Sequence, residues 1–81
     1  MEWKFPAIKT TKTAKQQVLK VEEETGEFLS ARRKHAKDLE AVDIYHAAET
    51  LLRIHFRGRE EELDKVMEQV VKKNRDRKKY L

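Results

Sequence analysis

The chain has 81 residues, 38% hydrophobic and 42% charged, with a formal net charge of +4 and no cysteine. This is one domain with little apolar material for a private core, so a lone monomer is marginal and subunit association is the simplest source of further stability. Disulfides and cysteine-rich zinc sites are excluded, no stretch approaches the ~20 apolar residues of a membrane span, and the opening MEWKFPAIK lacks a secretory apolar segment, so the reading is a soluble, cytoplasmic homo-oligomer.

Residues 1–10 carry no pattern strong enough to assign an element. Trp3 and Phe5 either stack on a nucleobase, cover a neighbouring subunit or simply anchor the chain, the last being the commoner fate of a terminal aromatic. With only two glycines and one proline, and no strand-like alternation, a helical reading dominates. A first helix is expected from Thr11 or Thr13, where Thr13 and Gln16 can form a capping box, to about Arg33. Its apolar stripe is Ala14, Val18, Val21, Thr25, Phe28 and Leu29, with Glu23, Glu24 and Glu27 beside it.

A break within Arg33 to Lys37 should precede a second helix from about Asp38 to Arg57, stopped by Gly58. Ile44, Ala47, Leu51 and Ile54 cover one side of it, and Ala41, Tyr45, Ala48, Leu52 and Phe56 the adjoining one, a pattern that belongs to a central, well-buried helix. The third helix opens on Glu60, Glu61 and Glu62, which suit its positive end, and carries Leu63, Val66, Met67, Val70 and Val71 as a stripe expected in the core. Residues 72–81 form a basic end, with Lys72, Lys73, Arg75, Arg77, Lys78 and Lys79. Such an end meets phosphates or an acidic partner, or only complements the helix dipole and aids solubility. The expected fold is therefore all-α, a single domain over 1–81. It is an antiparallel helical hairpin plus a third helix, completing a four-helix-bundle-type core by oligomerisation.

The anomaly lies in the second helix. At about 100° per residue, Glu40 projects into the middle of the arc made by Ile44, Ala47, Leu51 and Ile54, and Asp43 lies at its edge. A carboxylate taken out of water without a partner costs several kcal/mol, so such placement implies a cation, a proton or a water-filled cleft. A hairpin pivot near Arg33 to His35 brings Glu24, Glu27, Glu40 and Asp43 together between two helices. A divalent cation relieves their repulsion, and an oxygen-only site suits Mg2+, with Mn2+ nearly as well placed. The bland alternatives are a solvated acidic face for the first group and, for Glu40, a buried ion pair with Lys20 or with a basic residue of another subunit.

Glu23-Glu24-Thr25-Gly26-Glu27, then Glu40-Ala41-Val42-Asp43 after twelve intervening residues, resembles the paired E-E-x-x-E and E-x-x-D signature of the MazG-like, all-α nucleoside triphosphate pyrophosphohydrolases. The likeness spans about Val18 to Tyr80. It implies that Glu24, Glu27, Glu40 and Asp43 ligate the metal, that Glu23 is a further ligand or an orienting acid, and that all five serve catalysis. It also implies a dimer or tetramer, and cleavage of (d)NTP between the α- and β-phosphates to (d)NMP and pyrophosphate by a metal-activated water. Lys73, Asn74 and Arg77 resemble the late basic cluster that several members use near the phosphates. The chain departs from the family in its brevity and in lacking a clear aromatic pair for gripping the base.

His46, three residues after Asp43, is either a general base or orienting partner, or a surface or interface histidine; His35 and His55 carry less signal. Phosphoribosyl-ATP pyrophosphohydrolase, which breaks the same kind of bond, is the nearest alternative function. A non-enzymatic basic helical module binding nucleic acid is a second, and the acidic face of the first two helices argues against it. A purely structural oligomer is a third.

Overall fold

In a computed structural model, residues 2–81 are described, and they form three helices with no strand among them. The helices are α1 (Ala14–Ser30), α2 (Lys34–His55) and α3 (Glu60–Asp76). None is long and apolar enough to cross a membrane.

α1 begins at the expected cap. The Thr13 hydroxyl accepts from the Gln16 N–H at 3.2 Å, and the Gln16 side chain accepts from the Thr13 N–H at 2.9 Å. The helix ends at Ser30, before the expected Arg33, because Ala31 is extended (φ −68°, ψ 135°). α2 then starts at Lys34, earlier than Asp38. The turn is only residues 31–33, and nothing in Lys34 to Lys37 opposes helix, since neither glycine nor proline is present. At its far end Gly58 takes φ +74°, a left-handed conformation that glycine adopts without steric cost and that ends the helix as expected.

So short a turn forces α1 and α2 into an antiparallel hairpin, and the close packing of the chain lies there. The pairings Phe28 with Lys37, Glu24 with Glu40 and Gln17 with Ala47 recede from the turn together on both helices, to within one residue, which defines the register. The buried face of α1 runs through Gln17 and Glu24, with Ala14, Val21 and Phe28 half-buried along it. The expected stripe is therefore rolled. Val18, Thr25 and Leu29 sit on its outer edge, with Leu29 73% exposed, because the hairpin turns the acidic edge of the stripe inward.

α2 and α3 also depart from expectation. Leu39, Val42 and Tyr45 of α2 are more than half exposed, so α2 is central but not enclosed within one chain. On α3 only Leu63 is buried, while Val66, Met67, Val70 and Val71 are exposed. α3 diverges from the hairpin and leaves a groove of about 300 Å³ lined by Ile44, Tyr45, Ala48, Leu52 and Met67. The chain is consequently open. Its radius of gyration is 14.6 Å, against about 12 Å for a compact domain of this length. Its accessible surface is 6872 Å², against about 5,100 Å² for a compact monomer of 9.7 kDa.

The segment before α1, unpatterned in sequence, is a strap pinned across α2. Lys4 and Phe5 donate their backbone N–H groups to the Glu49 carboxylate at 2.9–3.1 Å. Arg53 donates to the Phe5 carbonyl at 2.7 Å and lies 4.4 Å above the Trp3 ring. Phe5 stacks on His46 at 4.4 Å and meets Tyr45 edge-on at 5.5 Å. Trp3 and Phe5 thus anchor the chain. Burial pushes the Glu49 carboxyl up, but the two N–H donors and Arg53 outweigh it and hold it below the usual carboxylate range.

Candidate metal centre

Register does most of the work of building the site. Glu24 stands on the inner face of α1, and Glu40 and Asp43, almost one turn apart on α2, face it across the hairpin. One carboxylate oxygen from each lies within 4.8 Å of the other two. Burial falls from Glu24, which is buried, through Glu40, half-buried, to Asp43, exposed, so the cluster opens to solvent on one side. Three carboxylates so close repel one another in a site only partly reached by water.

Two of their oxygens have no partner within the chain. Glu24 Oε2 and Glu40 Oε2 are both out of contact with solvent and have no hydrogen-bond donor. A buried acceptor left unpaired is costly and demands an explanation. The donor set is oxygen alone, which suits a hard cation and not a soft one.

The other expected acids are nearby but differ in kind. Glu27, exposed one turn beyond Glu24, lies near both acids; Glu24 first, and Glu40 after it, pushes its carboxyl above the usual range. It stands beside the trio and is not one of the three. Glu23 is turned outward, with its side chain 58% exposed and 3.6 Å from Lys20. Lys20 does not pair with Glu40, the bland alternative for that residue; its Nζ lies 2.9 Å from Glu24 Oε1. That bond, opposed by burial, holds the Glu24 carboxyl below its ordinary range.

Lys73, Asn74 and Arg77 occupy the last turn and cap of α3. None of them lines the cavity beside the acids, and α3 does not pack on α1. Within one chain they are not brought to the centre.

Sequence reasoning missed that cavity. It measures about 210 Å³ and lies between the strap, α1 and α2, with Glu24, Asp43, Lys12, Gln17, Lys20 and Thr50 among its walls. Gln17 spends its amide N–H on the Ala47 carbonyl at 2.9 Å, and Thr50 donates to the His46 carbonyl at 3.1 Å. His46 also lines the cavity, and its Nε2 is buried without a partner. The available signal was the polar residues Gln17, His46 and Thr50 at positions facing the other helix, which apolar periodicity passes over. Comparison with protein-family models, curated proteins and solved structures finds no match for this chain.

Proposed function

We propose that this chain is a Mg2+-dependent nucleotide pyrophosphohydrolase, with Mn2+ as a substitute, that cleaves (d)NTP between the α- and β-phosphates. The observation that carries it is the pair of buried, unpartnered carboxylate oxygens on Glu24 and Glu40, with Asp43 beside them. The resemblance of the two acidic segments to the MazG-like signature supports the choice of reaction. Glu24, Glu40 and Asp43 hold the cation, Glu27 completes the acidic set from the solvent side, and Glu23 orients through Lys20. A divalent ion in such a site neutralises the triphosphate and lowers the pKa of a bound water. The cavity beside it admits the substrate next to the acids while the strap closes one wall.

The assembly we propose is a homo-oligomer in which a second copy covers the α3 stripe and the exposed side of α2. The surplus of accessible surface over that of a compact monomer exceeds the ~800 Å² that one partner contributes to a standard interface. Lys73, Asn74 and Arg77 then reach phosphates only across such an interface.

A hydrolysis panel of ribo- and deoxyribonucleoside triphosphates and phosphoribosyl-ATP, with both products identified, tests the reading. Monophosphate plus pyrophosphate, abolished by EDTA, is expected, and the preferred substrate separates the two pyrophosphohydrolase alternatives. Diphosphate plus orthophosphate would exclude the proposed bond cleavage.

A further inference from the structure

Resting on the metal reading, we infer that Lys20 is a displaceable counter-ion of the acidic cluster, and that on cation binding it turns into the adjoining cavity to hold a polyphosphate. Lys20 stands one helical turn before Glu24 on α1 and grips only one of its oxygens, at 2.9 Å, leaving the other buried and unpartnered in a residue that clusters with Glu40 and Asp43. The cluster is thus half-neutralised by the chain itself. A dication among these carboxylates puts like charges close together, and the ammonium, on a flexible four-carbon stem and 36% exposed, is the part free to move.

The place for it to go is already built. Lys20 lines the 210 Å³ cavity that Glu24 and Asp43 also line, and Lys12 of the strap lines the same cavity. Two ammonium groups beside a carboxylate-bound cation suit a chain of phosphates that starts on the cation and continues between them. Lys20 therefore opposes the cation when polyphosphate is absent and favours polyphosphate when the cation is present. A merely structural ion pair has no such pair of opposite signs, since its loss loosens the site for both ligands.

The test is calorimetric titration of the full chain and of Lys20→Met, first with Mn2+ alone and then with inorganic tripolyphosphate at saturating Mg2+. Helix content by circular dichroism is matched beforehand, and Lys20→Arg serves as the variant that keeps the charge. Lys20→Met is expected to bind Mn2+ about tenfold more tightly and tripolyphosphate about tenfold more weakly, roughly one charge interaction in each direction. Lys20→Arg should stay near the wild type in both. Mn2+ affinity that is unchanged or weaker in Lys20→Met, or tripolyphosphate affinity that is unchanged, overturns this inference while leaving the metal reading in place. A wild-type chain that binds no Mn2+ overturns both.

Discussion

The α1–α2 hairpin and α3 invert the ordinary distribution of residues, each in its own way. The hairpin and the strap across it bury Gln17, Glu24, Glu49 and Thr50, whereas α3 leaves most of a regular apolar stripe in solvent. Gln17, Glu49 and Thr50 are buried with hydrogen-bond partners, whereas Glu24 keeps one buried oxygen without one, and the exposed apolar groups of α3 form a patch of the kind that marks interaction surfaces. The chain thus has two unusual regions, a hairpin with unpartnered buried carboxylate oxygens and a helix with an uncovered apolar stripe, and we propose a cation for the first and a second copy for the second.

Substitutions that strike one region and spare the other sharpen this contrast. Glu40→Gln should cost about 100-fold or more in turnover, exceeding the usual effect of a residue supporting a metal ligand. Its melting temperature should hold or rise, because carboxylate repulsion is relieved. Turnover equal to wild type would remove the hairpin as the seat of chemistry. Leu63→Ala removes the one α3 side chain that is fully buried, and denaturant unfolding should show a loss of about 2–4 kcal/mol. Val70→Asp, on the exposed part of the stripe, should instead shift the mass seen in sedimentation toward the monomer; an unchanged mass would leave the stripe without its proposed partner.

Glu49→Gln should lower the melting temperature at neutral pH by several degrees, since the strap loses a charged acceptor for two N–H groups and the partner of Arg53. Because the folded carboxyl titrates below its unfolded value, its contribution is present at neutral pH and lost as pH falls through the depressed folded value. The gap between wild type and variant should therefore close below the ordinary carboxylate range. A gap independent of pH would mean that shape, and not charge, anchors the strap. The smallest effect, about 1 kcal/mol, is expected for Thr13→Ala, which deletes the α1 cap without touching the acidic cluster or the α3 stripe.

Local chemistry was legible in the sequence where one residue determines the outcome, and less so where packing does. The Thr13 cap, the Gly58 stop and the existence of three helices follow from side chains acting on their own backbone. Glu40 and Asp43 were conspicuous because acids interrupt an apolar arc, and a pivot near Arg33 to His35 set both Glu24 and Glu27 opposite them; the turn at residues 31–33 instead brings Glu24 into the trio and leaves Glu27 beside it. The roll of α1 was hidden, since Val18 and Val21 satisfy the same periodicity and only contact with α2 separates them. So was the strap, whose hold on Glu49 uses backbone N–H groups that leave no trace in residue identity. Regular spacing on α3 declared an apolar face but could not say which molecule covers it.

Titration of the intact chain with Mn2+, read calorimetrically beside Glu24→Gln and Glu40→Gln, addresses the central claim most directly. The account predicts saturable binding to the wild type that weakens by about 100-fold or more in each variant, with Mn2+ raising the melting temperature of the wild type alone. Absence of saturable binding, or equal binding by all three proteins, would contradict it.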